Sequence, residues 1–157
     1  MTADEIVRLI EQYRAGVEAE LVLLHQLADV SSRQRSVTHA GDFDAFGHAA
    51  DERDRIMQSL VTIEEGLRSV RLELAAHRQL AMSIDGFESV LASHHEATAL
   101  VSSILADDQA LVSALADAEL ARRSAVASLE RGETTLAAYR RVLAPPLASA
   151  SLLNRRG

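Results

Sequence analysis

Six histidines and twenty-three carboxylates are the residues of this chain that invite chemistry, and no cysteine accompanies them. In a helical protein the first chemistry to look for is a metal centre. Glu-x-x-His turns two ligands inward on one helical face, yet no histidine here has Glu three residues before it. His95-Glu96 opens like the zinc-protease His-Glu-x-x-His, but Ala99 stands where the second histidine is needed. His48 with Glu52, and His25 with Asp29, are four apart and share a face; they read as solvated polar pairs. The expectation is no metal, no cofactor and no catalytic residue.

Nucleophilic catalysis lacks its parts as well. There is no thiol, no glycine-rich phosphate loop and no nucleophile elbow. His94-His95 reads as one packed and one solvated ring. The chain is not expected to be an enzyme.

The elements that would position such residues are all helical. The stretch Phe46, Ala49, Arg53, Ile56, Leu60, Ile63, Leu67, Val70, Leu74, His77 holds a three-four spacing throughout, with apolar residues at all but Arg53 and His77. A repeat of 3.5 residues keeps one narrow stripe against a partner helix. Asp is expected to be severely destabilising at Leu60 or Ile63 and nearly silent at the intervening Glu64 or Arg68. Before this stretch, Thr2 and Glu5 form a capping box, and the stripe Ile6, Ile10, Tyr13, Val17, Leu21, Leu24, Leu27 follows. That stripe thins beyond Val30, so a loosely packed far end is expected.

Gly41-Asp42 supplies a left-handed stop and an N-cap in two residues, which forces a long antiparallel hairpin. Gly66 inside the second helix marks a close approach or a bend. Asp85 with Glu88 offers another capping box. A third seam then runs Ala97, Val101, Ile104, Asp108, Leu111, Leu115, Ala118, Arg122, Ala125, Leu129. Arg53, Asp108 and Arg122 interrupt the seams; they either pair with one another or mark a groove.

The predicted class is therefore all-α: a long antiparallel helical hairpin plus a third long helix, in a three- or four-helix bundle or coiled coil, with a short C-terminal helix. The helices are placed at about 3–40, 43–80, 86–131 and 133–144. Gly132 ends or kinks the third, and Pro145-Pro146 stops the fourth. A bundle domain of residues 1–144 then leaves a flexible, proline-initiated tail of 145–157.

Charge is unevenly spread. Residues 1–120 hold nine arginines against twenty-one carboxylates, and residues 121–157 hold seven against two. An acidic body repels phosphate backbones, so nucleic acid is not an expected partner. No cleavable leader is visible and no strongly apolar run spans a bilayer, so a cytoplasmic protein without membrane insertion is expected.

The hairpin turn Gly41-Asp42-Phe43-Asp44-Ala45-Phe46, the following Arg53-Asp54-Arg55-Ile56-Met57-Gln58-Ser59-Leu60, Ile104 with Asp107-Asp108, and Leu136-Ala137-Ala138-Tyr139-Arg140 together give a familiar layout. Over residues 5 to 143 the chain resembles the bacterial flagellar export chaperones of the FlgN/FliT type. The resemblance implies a cytoplasmic chaperone that binds a terminal helix of a hook-associated or filament-type protein. Such a chaperone prevents early assembly and delivers the client to the type III export apparatus. It also implies a C-terminal helix that makes or gates the client contact.

The residues at that end agree: Leu136, Tyr139, Arg140, Val142, Leu143, Leu147, Leu152 and Leu153 form an amphipathic, basic segment that needs a surface. That surface is the protein's own acidic body or a client, in competition. The alternatives are a coiled-coil adaptor or scaffold that forms a homodimer through the Phe46–His77 seam, and a metal-binding bundle.

Overall fold

A computed structural model describes the backbone of residues 1–153 and the side chains of residues 1–142. Among the described residues the fold is all-α, with four helices and no strand: α1 (Ala3–Ala40), α2 (Phe43–Ala76), α3 (Arg78–Met82) and α4 (Phe87–Leu153). The chain divides into two units, Met1–Leu111 and Val112–Gly157.

In the first unit, α1 begins as its sequence dictates. The Thr2 N–H donates to Glu5 Oε2 at 2.6 Å, and the Glu5 N–H donates to Thr2 Oγ1 at 3.3 Å. It ends at Gly41, whose φ of 72° is the left-handed value that glycine reaches without a Cβ clash. The Asp42 N–H reaches back to the Val37 carbonyl, while the Asp42 side chain accepts from the Ala45 N–H at 3.0 Å to start α2. Two residues thus reverse the chain, and α2 packs along α1.

All ten positions of the three-four count in α2 and at its cap are buried or half-buried. Ala49, Ile56, Leu67, Val70 and Leu74 lie deepest. At one end, Ile6, Ile10, Tyr13 and Val17 of α1 enclose a core with Leu67, Val70, Leu74, Ala81, Phe87 and Val90. At the turn end, Leu24, Leu27 and Val30 pack with Ala49, Ile56, Ala97 and Ile104.

The close approach of the hairpin falls at Gly16, not at Gly66. A Cβ on Gly16 would stand 2.5 Å from both methyls of Leu67, whereas one on Gly66 meets nothing within 4 Å. Gly16→Val should therefore cost about 1–3 kcal/mol through overpacking. Gly66→Ala should stabilise by about 1 kcal/mol, because a helix interior favours Ala over Gly. Chemical denaturation of the two variants checks the contrast.

The far end of α1 is packed, contrary to the loose end expected. Ser31 and Gln34 are about 95% buried, because the Ser31 hydroxyl accepts a hydrogen bond from Arg53 Nη1 at 3.0 Å. The same guanidinium forms a bidentate pair with Asp108, with Nη1 at 2.8 Å from Oδ1. Arg35 meets Asp107 at 3.1 Å beside it. Two of the three seam interruptions thus pair with each other. Arg122, the third, pairs with Glu119 of its own helix.

Helix boundaries differ from the predicted ones in three places. The second helix ends at Ala76 rather than near 80; His77 leaves helical geometry at φ −113°, ψ 30°, and the one-turn α3 follows. Gly86, at φ 87°, then turns the chain into α4. The third and fourth predicted helices are one helix of 67 residues, Phe87–Leu153. Gly132 costs about 1 kcal/mol in a helix interior and forbids nothing. Pro145 and Pro146 withdraw two backbone donors, which strains a helix but does not stop one already formed on both sides.

Along α4, Phe87, Val90, Ala97 and Ile104 are buried and Leu111 is half-buried. The stripe has lost its cover by Leu115, although its spacing continues. Asp107 and Asp108 lie beside Arg35 and Arg53, on the side of the turn where α1 ends and α2 begins.

Candidate functional site

The sequence places partner binding at the chain end, and the second unit shows what is available there. Almost every described side chain from Val112 to Val142 is exposed, Glu119 being half-buried. Leu120, Leu129, Leu136, Tyr139 and Val142 are each more than 60% exposed. Leu129, Gly132, Leu136 and Arg140 line a shallow groove along one side of the helix. Of the predicted residues, Leu136, Tyr139, Arg140 and Val142 therefore stand free on one helix. The side chains of Leu143, Leu147, Leu152 and Leu153 lie outside the described residues.

What holds this helix together is local. Arg122 donates to both oxygens of Glu119 at 2.9 Å, and Arg123 adds a bond at 3.0 Å. The two arginines hold the Glu119 carboxyl down at about 2. Thr134 and Thr135 return their hydroxyls to the carbonyls of Glu130 and Arg131. Pairs at i,i+3 and i,i+4 contribute only a few tenths of a kcal/mol each. They favour the helix without giving its apolar side chains anything to cover them.

α4 also holds an 18-residue window of mean hydropathy 1.3, only 6% of it buried, which is long and apolar enough to cross a membrane by length and composition.

A second constellation lies inside the first unit, and the sequence reading missed it. Glu20, only 6% exposed, sits on the buried stripe of α1 with its Oε1 unpartnered. Burial pushes its carboxyl up to about 7, reinforced by a hydrogen bond to Glu64 and by that neighbour's charge. Burial pushes Glu64 up as well. The hydrogen bonds it accepts from Glu20 and Arg71 outweigh this and leave it below the ordinary carboxylate value. Arg71 Nη2 lies 2.5 Å from Glu64 Oε2, so the single proton shared by the carboxyls belongs on Glu20.

Next to this pair, the Tyr13 hydroxyl and His94 Nδ1 are 2.9 Å apart. Burial raises the Tyr13 phenol and lowers the His94 imidazole, so both are held neutral. Tyr13 and Glu20 come from α1, Glu64 and Arg71 from α2, and His94 from α4. The cluster can hold a proton, but it contains no activated nucleophile.

Of the remaining histidines, His95 is exposed and three are spent locally. His39, His48 and His77 each place Nδ1 against the carbonyl four residues back. Glu52, the suggested partner of His48, pairs instead with Arg33 at 2.9 Å. His25 faces Glu96 at 3.8 Å. Among the described residues no three His, Asp or Glu side chains converge as metal ligands would. Comparison of the chain with protein-family models, with curated proteins and with solved structures finds no match.

Proposed function

We propose that this protein is a helical chaperone that captures a terminal helix of a protein client on the exposed stretch of α4, residues 112–142. One observation carries the reading: the exposed apolar side chains of Val112–Val142 continue a seam spacing, and no side chain among the described residues covers them. A helix-in-groove partner would cover them, and burying each leucine is worth about 1.5–3 kcal/mol. In this reading the helices of residues 1–111 form a three-helix body that stabilises the base of α4.

The resemblance to flagellar export chaperones supplies the client class: a hook-associated or filament-type protein, kept from premature assembly in the cytoplasm and passed to type III export. Charge favours a protein partner over a bilayer. Asp117, Glu119, Arg122, Arg123, Glu130, Arg131 and Glu133 fall within the uncovered stretch, and a central Arg or Asp costs a membrane helix about 2.5–3.5 kcal/mol or more.

The test is binding of terminal peptides from such clients to the full chain and to Leu129→Asp and Leu136→Asp. Each variant should weaken binding tenfold or more, about 1.4 kcal/mol, while the melting curve stays that of the parent. Deleting 112–157 should leave residues 1–111 folded, since every buried core residue found lies at or before Ile104, and should abolish binding. Unchanged affinity in both point variants would place the client elsewhere. Self-association that both variants abolish, with no client bound, would favour an adaptor that dimerises through α4 rather than through the Phe46–His77 seam, which the fold itself covers.

A further inference from the structure

The seam count of α4 continues past Leu129 through Gly132, Leu136 and Tyr139, and its exposed part alternates in size. Large residues recur seven apart at Leu115, Arg122, Leu129 and Leu136. Between them stand the small Ala118, Ala125 and Gly132, until Tyr139 breaks the alternation. All of these positions are exposed. Gly132 opens a notch: nothing stands within 4 Å of where its Cβ would be, and Leu129, Glu133 and Leu136 frame it. Four residues at this spacing form the hole that receives one side chain of a facing helix.

A second copy of the same face fits it in one orientation. Parallel copies in register would stack large on large and small on small. They would set Gly132 against the partner's Gly132 and, worse, Arg122 against the partner's Arg122. Antiparallel copies pair large with small. With Leu129 over the partner's Gly132, Leu136 meets the partner's Ala125, and Arg122 lies over the ring of the partner's Tyr139. The flanking charges select that register. It brings Glu119 beside the partner's Arg140, and it does so twice because the contact is two-fold. A slip of one heptad in one direction sets Glu119 beside the partner's Glu133. A slip in the other sets Glu133 beside the partner's Glu133.

We propose that the exposed face of α4 is covered by the same face of a second copy, antiparallel, with Leu129 seated in the notch at the partner's Gly132. Size alternation sets the orientation and charge sets the register. The dimer is the resting form, and an arriving client helix displaces the second copy. That displacement rests on the chaperone reading, whereas the dimer itself does not.

The chain has no cysteine, so disulfide trapping reads the register directly. Ala125→Cys and Leu136→Cys, on full-length chains carrying different tags, are mixed and oxidised. The mixed disulfide is expected in at least tenfold excess over either chain joined to itself; the reverse would overturn the proposal. Sedimentation equilibrium of the full-length protein should show monomer and dimer in exchange. Glu119→Arg should weaken the dimer at least tenfold, and adding Arg140→Glu should restore it. A double variant as weak as the single would refute the register. A monomer at every concentration would overturn the dimer and leave the chaperone reading standing if client peptides still bind. A dimer trapped in the expected register that no client peptide dissociates would uphold the pairing and count against the chaperone reading instead.

Discussion

Val17→Asp should leave the hairpin unfolded or close to it under conditions where the parent is native. Val17 is fully buried in the core formed with Leu67, Val70, Val90 and the other residues of the open end. An unpaired carboxylate there forfeits burial of the valine and must either lose its hydration or take up a proton, at a cost of several kcal/mol. It also lies three residues before Glu20 on the same helical face, which would crowd a third carboxyl toward the Glu20–Glu64 pair. Against a native stability of about 5–15 kcal/mol this is a large fraction of the whole. Leu60→Asp and Ile63→Asp, at half-buried sites, should cost less. Arg68→Asp, on the exposed face, should shift the urea midpoint little. Glu64→Asp, also at an exposed position, should likewise shift it little, since the half-exposed ion pair with Arg71 contributes at most about 1 kcal/mol. Similar midpoints for Val17→Asp and Arg68→Asp would mean that the core is misplaced.

Which features of this fold can be read from the chain depends on whether a local signal is final or merely costly. The Thr2–Glu5 box and the Gly41-Asp42 reversal are final: their geometry closes within a few residues and forms as written. The seam of α2 is legible because its partner is supplied by the hairpin itself. Gly132 and Pro145-Pro146 are only costly, and a helix can absorb a cost that a sequence pattern reads as a stop. The seam from Leu115 onward shows the opposite hazard. Spacing announces a face that wants cover, but not whether the same chain supplies the cover.

The buried polar residues were legible by a stricter count. From Ile6 the alternation of four and three runs Ile10, Tyr13, Val17, Glu20, Leu24, Leu27, Ser31, Gln34, and every one of these positions is buried. Preferring an apolar residue at each step diverts the count from Glu20 to Leu21 and ends the stripe near Val30. Periodicity, rather than polarity, told which side faced inward. The partners of these residues were a different matter. Arg53 with Asp108, and Glu20 with Glu64, depend on the register between helices distant in sequence, which spacing within one helix does not contain.

Glu20→Gln should reverse the effect of raising pH on the stability of the first unit. With its folded carboxyl at about 7 against an ordinary 4.5, Glu20 holds its proton more tightly in the native state than in the unfolded chain. Its stabilising contribution is complete below the unfolded value and is lost as pH rises through about 7, a change of up to about 3 kcal/mol. Glu64 works in the other direction: held below 4.5, it contributes above the unfolded value and loses that contribution as pH falls through its folded one. His94, lowered first by burial and then by Arg71 from an ordinary 6.5, also opposes Glu20, since protonation favours the unfolded chain. Comparing parent and variant removes both opposing effects. Gln keeps an N–H donor for Glu64 and cannot ionise, so the two proteins should be similarly stable near pH 5, and the variant should pull ahead by about 2–3 kcal/mol near pH 8. Urea midpoints measured across that range decide it. Profiles that stay parallel from one end to the other would show that the shared proton does not reside on Glu20.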